Sequence, residues 1–309
     1  MLKIVFIPGL PRCATTTLAS LLGQHPAVAA PRHKEPHFFL PAGDAARLYA
    51  YEGRARRPYP TLGFCQDRAA YLHNLRAGAP ATLHIDASTL YCVHPEAFAA
   101  IAADRDIDPY FVFLHRAPLP RARSHFRFSV SRGEETRSFE QALDEEARGE
   151  RAHWLLGGYH KASALTPAVT RARALFGLER VRLANIDTQQ IASPAFMGAV
   201  LDFLGLPTHD FDFAVYPNAV PDLTQPLARR ARILARQARQ LHPGLMDNPV
   251  TRWVFEHAML RLHALTRGAT PVHPPPRETL RDDWQRRFAE LAQQNAACCP
   301  ALTLAAGGA

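Results

Sequence analysis

The strongest constraint on this chain is at its N-terminal end. There a β-type run, Leu2 to Ile7, breaks at Pro8-Gly9 and opens into Leu10-Pro11-Arg12-Cys13-Ala14-Thr15-Thr16-Thr17. Leu18, Leu21 and Leu22 follow at helical spacing, and His25-Pro26 ends the pattern, predicting a helix from Thr15 to Gln24. A strand that feeds a tight turn and then a helix N-terminus aims free backbone N–H groups and the positive end of the helix dipole at one point. The segment therefore reads as a phosphate cradle, with Arg12 adding a fixed charge and three threonines adding hydroxyl donors. The plainer alternative is an ordinary strand-turn-helix in which a threonine caps the helix.

The cradle departs from the G-x-x-x-x-G-K-[ST] pattern of ATP and GTP sites, because Ala14 stands at the second glycine and Thr15 at the lysine. A kinase or GTPase needs that lysine on the β- and γ-phosphates and a hydroxyl on Mg²⁺. An upstream arginine with a threonine run suits a nucleotide carrying a single 5′ phosphoanhydride. A kinase or NTPase should also show a hydrophobic strand ending in a metal-binding aspartate. The best-formed strand here, Tyr110 to Leu114, ends in His115-Arg116 instead. In open α/β sheets, ligands bind at that carboxyl edge.

Further along, the patterns predict short strands at Val28–Ala30 and Thr82–Asp86, a helix around Gln66 to Arg76 in an otherwise irregular stretch, and a strand at Val181–Asn185. Helices are predicted over 121–151, 155–176, 193–204, 227–241 and 280–295. The simplest organisation is one α/β domain over residues 1–295 with a helical C-terminal portion, and a frayed tail over 296–309.

A content of 47% hydrophobic and 21% charged residues in 309 is that of a soluble globular protein. No apolar run of about 18 residues occurs, and the N-terminus lacks the basic and apolar regions of a signal peptide, so a cytoplasmic protein is expected. Five cysteines, Cys13, Cys65, Cys92, Cys298 and Cys299, form no C-x-x-C pair and read as free thiols rather than as disulfides or a zinc site. The formal charge of +8 attracts anions, whether nucleotides, sulfated or carboxylated sugars, or nucleic acid. Arginine far outnumbers lysine. Its planar fork binds phosphate and sulfate bidentately, although a high-GC codon bias produces the same excess. The helix over 227–241 carries Arg229 and Arg230, which could reach a donor or an anionic acceptor. It is also the sole support for a non-catalytic nucleic-acid binder, and it lacks the interleaved aromatics of single-strand binding, so no nucleic-acid partner is expected.

Four segments in order carry a resemblance. They are Pro11-Arg12-Cys13-Ala14-Thr15-Thr16-Thr17; Gln24-His25-Pro26 with Lys34-Glu35-Pro36-His37-Phe38-Phe39; His84-Ile85-Asp86-Ala87-Ser88-Thr89-Leu90-Tyr91; and Leu114-His115-Arg116-Ala117-Pro118 with Arg121 and Ser124-His125-Phe126. Together they resemble the 3′-phosphoadenosine 5′-phosphosulfate (PAPS)-dependent sulfotransferases, particularly the bacterial and heparan-sulfate-type branch, over about residues 2 to 210. The resemblance implies a three-layer P-loop-like fold with a central parallel sheet flanked by helices. It places the 5′-phosphosulfate on Arg12, Cys13, Ala14, Thr15, Thr16 and Thr17. Ala14 replaces the family glycine, and an alanine there is expected to take the helical conformation that the loop needs.

By the same resemblance Glu35 is the acceptor-activating glutamate, and Arg116 with Ser124 grips the 3′-phosphate. Tyr159, in Gly157-Gly158-Tyr159, matches an aromatic near the nucleotide, and His115 is a candidate to stabilise developing charge. Some members carry a lysine where this chain has Ala87, so no catalytic lysine is expected from that segment. The plainer alternatives are a solvated loop carboxylate for Glu35 and an ordinary ion pair for Arg116. The implied reaction is in-line transfer of a sulfuryl group from PAPS to an acceptor hydroxyl, with no metal and with release of 3′-phosphoadenosine 5′-phosphate (PAP). A carbohydrate or glycolipid acceptor is favoured, and a small phenolic or lipid metabolite is next.

Overall fold

The first strand is the middle of the sheet. In a computed structural model, which describes residues 1–41, 67–76, 81–131, 135, 137–152, 158–214 and 280–298, β1 (Leu2–Phe6) buries Ile4, Val5 and Phe6 completely. Such a continuous apolar run belongs to a parallel strand covered on both faces. β2 (Val28–Ala29), β3 (Leu83–Asp86), β4 (Ile107–His115) and β5 (Val181–Asn185) join it, all parallel, in the order β2-β3-β1-β4-β5. The chain leaves β1 for one edge, returns through β3 and then passes to the other side of β1. The order of strands thus reverses at β1, and at such a point a crevice opens outside the carboxyl ends of the strands.

Helices flank the sheet. α1 (Thr15–Leu22) buries Leu18, Leu21 and Leu22, the residues whose spacing predicted it. α2 (Arg68–Leu75) starts at Asp67, whose side chain accepts from the Ala70 N–H at 2.7 Å. α3 (Ala97–Ala103), which the sequence reading did not anticipate, packs with α6 (Thr166–Phe176), and α6 in turn rests on β4 and β5. α7 (Pro194–Leu204) is capped by Ser193 and ends at Gly205 in the left-handed conformation (φ 62°), the glycine stop expected there. α8 (Asp282–Ala297) runs two residues beyond the predicted Asn295.

Two predicted helices are shorter than expected. The 121–151 segment is not one helix but α4 (Pro118–Ser131) and α5 (Phe139–Ala147). The restart has a local cause in a capping box: Ser138 Oγ accepts from the Gln141 N–H, and the Gln141 side chain accepts from the Ser138 N–H. In the 155–176 segment, the helix proper begins only at Thr166, after a 3-10 turn at Lys161–Ser163. β4 is longer than predicted, starting at Ile107 and running through Pro109. β5 pairs with it only from Phe111 onward, so at Pro109 the missing N–H can face an edge that has no strand partner among the described residues. The arginine-rich helix predicted over 227–241, with Arg229 and Arg230, lies outside the described residues. Among the described residues no helix is long and apolar enough to cross a membrane.

The main core fills both faces of the sheet. A second cluster joins α4, α5 and α8 through Ala122, Phe139, Leu143, Tyr159, Trp284 and Phe288. Phe111 is the hub of the first, stacked on Phe6 at 5.3 Å between centroids and meeting Phe176 at 4.7 Å and Phe98 at 5.6 Å. Phe111→Ala should lower the unfolding free energy by about 3–5 kcal/mol in a urea titration, because that hub leaves a cavity which neighbouring strands cannot close.

Candidate active site

The loop after β1 is shaped by residues of unusual backbone conformation. Gly9 (φ 142°) passes so close to the 3-10 turn Thr89–Cys92 that an added Cβ would lie 2.8 Å from Cys92 Cβ, so only glycine fits. Leu10 and Cys13 then close a turn through the Cys13 N–H and the Leu10 carbonyl (3.2 Å), with Pro11 and the left-handed Arg12 (φ 68°) at its centre. Ala14 is left-handed as well (φ 58°, ψ 21°), while Cys13 between them has negative φ. Alternating hand along successive residues turns their N–H groups inward and makes a concavity for an anion. The expectation for Ala14 therefore needs correction: it does not continue the right-handed helix but occupies the conformation that favours glycine. Leu18 donates to the Ala14 carbonyl at 3.1 Å, so the N–H groups of Thr15, Thr16 and Thr17 have no acceptor within α1 and point out of its first turn.

Two guanidinium groups stand at this concavity with buried nitrogens unused. Arg12 lies over the Phe128 ring at 4.5 Å, and burial lowers its pKa. Arg116, just beyond β4, pairs through Nη2 with Asp187 at 3.2 Å. In both, Nε is buried and has no hydrogen-bond partner among the described residues. Donors left in that state call for an explanation, and an anion bound at the loop supplies one. Cys13, between the two, is a neutral thiol, since burial pushes its pKa up to about 12 against the pull of the surrounding arginines.

The second and third segments meet beside the loop. The Lys34 carbonyl accepts from the Ala87 N–H (3.1 Å), and the His37 N–H donates to Ser88 Oγ (2.9 Å). Glu35 sits there with about a third of its side chain exposed. Lys34 Nζ contacts its Oε1 at 2.5 Å, while Thr89 Oγ1 (3.2 Å) and His37 Nε2 (3.3 Å) contact its Oε2. Burial alone would raise its pKa, but the Lys34 ammonium and the hydrogen bonds outweigh burial and hold the carboxyl well below the usual carboxylate range. Asp86, at the end of β3, is the aspartate a kinase reading would want for a metal. Its Oδ2 accepts from the hydroxyls of Tyr71 (3.0 Å) and Tyr91 (3.1 Å), and its Oδ1 from the Ser88 N–H (3.0 Å). Burial raises its pKa, and its oxygens are spent on holding the segment together.

The fourth segment is tied to the loop by main-chain bonds between Leu10 N–H and the Leu114 carbonyl (2.5 Å) and between Leu114 N–H and the Gly9 carbonyl (2.8 Å). Half-buried His115 ends β4, and burial lowers its pKa although Asp187 opposes the shift. Ser124 is half-buried on α4. Tyr159 is placed differently from the expected aromatic at the nucleotide. It is fully buried in the second cluster, with its hydroxyl donating to Glu135 (2.7 Å) and its ring against His125 and Phe126. Tyr71 is likewise core.

Four stretches, one from each segment, thus converge at the carboxyl edge around β1, while Gln24-His25-Pro26 of the second segment precedes β2 at the opposite edge, where His25 Nε2 meets the Pro207 carbonyl at 3.1 Å. The sequence profile of the Sulfotransferase family matches residues 5–210, more than half of the chain. The chain belongs to the sulfotransferase family. Its fold is similar to that of a sulfotransferase from Alicyclobacillus acidocaldarius, at 26% identity and a TM-score of 0.58, over 75% of this chain and 94% of that one. No curated protein matches the sequence. Within this sulfotransferase, sequence reasoning missed Asp187 and the clasp made by Arg121. Asp187 lies far along the chain with no motif to mark it. Arg121 was visible in its segment, but its burial was not. Relieving the left-handed alanine should help the fold: Ala14→Gly is expected to raise stability by about 0.5–1 kcal/mol net of glycine's entropy, read as a higher urea midpoint.

Proposed function

We propose that this protein transfers a sulfuryl group from PAPS to an acceptor hydroxyl, a carbohydrate or glycolipid hydroxyl by its resemblance to the heparan-sulfate-type branch. The observation that carries the donor reading is the pair of buried, unsatisfied Nε atoms of Arg12 and Arg116 beside the open N–H groups of α1. Family membership supports it, since sulfotransferases in general use PAPS. Arg12 and the N–H and hydroxyl groups of Thr15 to Thr17 hold the 5′-phosphosulfate, and Arg116 with Ser124 holds the 3′-phosphate. PAPS, when bound, supplies the sulfuryl group for in-line transfer.

Positioning and charge stabilisation account for most of the rate in such a loose group transfer, and the cradle is built in advance for both. Glu35 receives the acceptor proton as general base. Its carboxyl stays ionised through the neutral range, and the reading needs no metal. His115, kept neutral by burial, can donate one N–H to charge developing on the transferring group.

Calorimetric titration tests the donor site. PAP should bind in the micromolar range without metal, AMP and ATP far more weakly, and Arg116→Ala should abolish the preference for the 3′-phosphate. Tight Mg²⁺-dependent ATP binding with no response to PAP would sink the reading. Glu35→Gln should leave PAP affinity intact and lower turnover by about 10²–10⁴-fold. The pH dependence has a definite sign. A carboxyl with a depressed folded-state pKa loses its charge only as pH falls, so the acid limb of kcat/KM should lie below about pH 4.3, the ordinary glutamate value.

A further inference from the structure

Glu35 as it stands is poorly prepared to take a proton. Lys34 occupies its Oε1, and Thr89 and His37 occupy its Oε2. Donors on the charged form deepen its stability, whereas a general base works best with a pKa near the operating pH. Loss of one donor raises the basicity of the carboxylate and opens an oxygen fully to an acceptor hydroxyl.

The three donors differ in freedom. His37 is buried, held in a left-handed conformation (φ 51°) and fixed through its N–H to Ser88. Thr89 is buried in the 3-10 turn against Gly9. Lys34 is about a quarter exposed, and among the described residues its other contact is a long one, 3.5 Å to the Ala87 carbonyl.

The chain has three lysines against 33 arginines. Lys3 is spent at the other end of β1, where its Nζ donates to the Leu204 carbonyl that closes α7. Lys161 lies in the 3-10 turn held by Glu146. That leaves Lys34 as the lysine beside Glu35. A guanidinium is a rigid planar fork, whereas an ammonium is a compact charge on a rotatable stem that can exchange one anion for another. Ala87 is also the residue that stands where some family members carry a lysine, and Lys34 reaches its backbone from the neighbouring segment.

We infer that Lys34 leaves Glu35 for the sulfuryl group of the bound donor, and that this movement frees Glu35 Oε1 for the acceptor hydroxyl. The inference rests on the loop as the PAPS site and on Glu35 as base. In the transfer, the acceptor oxygen bonds to sulfur as its O–H bond breaks, and the proton goes to Glu35 Oε1. The bond from sulfur to the phosphate oxygen breaks, and the leaving phosphate keeps the electron pair. Lys34 changes partner and forms no covalent bond. Donor binding and base activation become one event, and without donor Glu35 stays locked as an unreactive ion pair.

Comparing PAPS with PAP isolates the sulfuryl contact, because the two differ by that group alone. Affinities of both are to be measured by calorimetry without acceptor for wild type, Lys34→Met, Lys34→Gln and Lys34→Arg, with melting temperatures to confirm folding. The neutral variants should lose about tenfold in PAPS affinity, the effect of one charge-assisted hydrogen bond, with PAP affinity within about twofold of wild type. Lys34→Arg should recover only part of the loss, because it keeps the charge but not the rotatable ammonium. Equal losses for PAPS and PAP, or no loss for either, would overturn the role of Lys34 while leaving the donor site intact. Failure of the wild type to bind either nucleotide would overturn the donor reading itself, and this inference with it.

Discussion

The buried guanidinium of Arg121 joins the loop after β1 to the packing behind it. It has no exposed surface, and its bonds run to the loop and to the turn that precedes α6: Nη1 to the Pro11 carbonyl (3.3 Å) on one side, Nε to Ser163 Oγ (2.7 Å) and Nη2 to the Tyr159 carbonyl (2.5 Å) on the other. A buried charge is expensive unless its donors are matched, and among the described residues the matching here is by carbonyls and a hydroxyl rather than by a carboxylate. The turn that Arg121 holds is itself fixed from the other side. Glu146 of α5 accepts the N–H groups of Tyr159 (2.7 Å), His160 (2.9 Å) and Lys161 (2.7 Å). Packing in the second cluster is thereby transmitted to Pro11, and the turn carrying Arg12 has a rigid backing.

That arrangement also sets the electrostatics of the cradle. Arg12, Arg116 and Arg121 all act on Cys13, which burial keeps neutral. A thiolate there would have cancelled one of the charges. Burial also lowers the pKa of His125 well below its ordinary value, so the side chain next to Arg121 adds bulk and no further charge. The loop keeps a positive potential that no residue of its own neutralises, and such a potential in a partly desolvated crevice acts on an incoming anion far more strongly than exposed surface charge would.

What the sequence made legible follows from how local each cause is. β5 and α7 were bounded almost to the residue, because an apolar run and a serine-to-glycine pair of caps act within a few positions. α3 was invisible, since Ala97-Phe98-Ala99-Ala100-Ile101-Ala102-Ala103 offers alanines in place of a patterned face. The break before α5 was written in Ser138 and Gln141, yet helical periodicity on either side masked it. At the site, residue types located the four segments but not their conformations. A methyl at Ala14 could be read from the sequence, whereas its left-handed backbone depends on how the loop is tied to β4 and to the Thr89–Cys92 turn. Tyr159 shows the same limit in reverse, because an aromatic in a loop looked available to a ligand until its hydroxyl was seen to be engaged by Glu135 inside the second cluster.

Asp187 is the feature that the proposed donor site has to accommodate, since a carboxylate beside a phosphate subsite is normally repulsive. Its geometry resolves the difficulty. Oδ2 accepts from the Ala117 N–H at 2.7 Å, which fixes the carboxylate to the start of α4, and Oδ1 takes only one nitrogen of Arg116. A guanidinium has five N–H donors in one plane, so a partner on Nη2 orients the fork without exhausting it. The Nε of Arg116 is left buried and without a partner among the described residues. Asp187 therefore acts on Arg116 as an orienting group: it charges the subsite some electrostatic attraction and returns a fixed direction for the remaining donors. In the proposed reading, that fixed direction is what lets one arginine and the hydroxyl of Ser124 select a 3′-phosphate over a bare ribose.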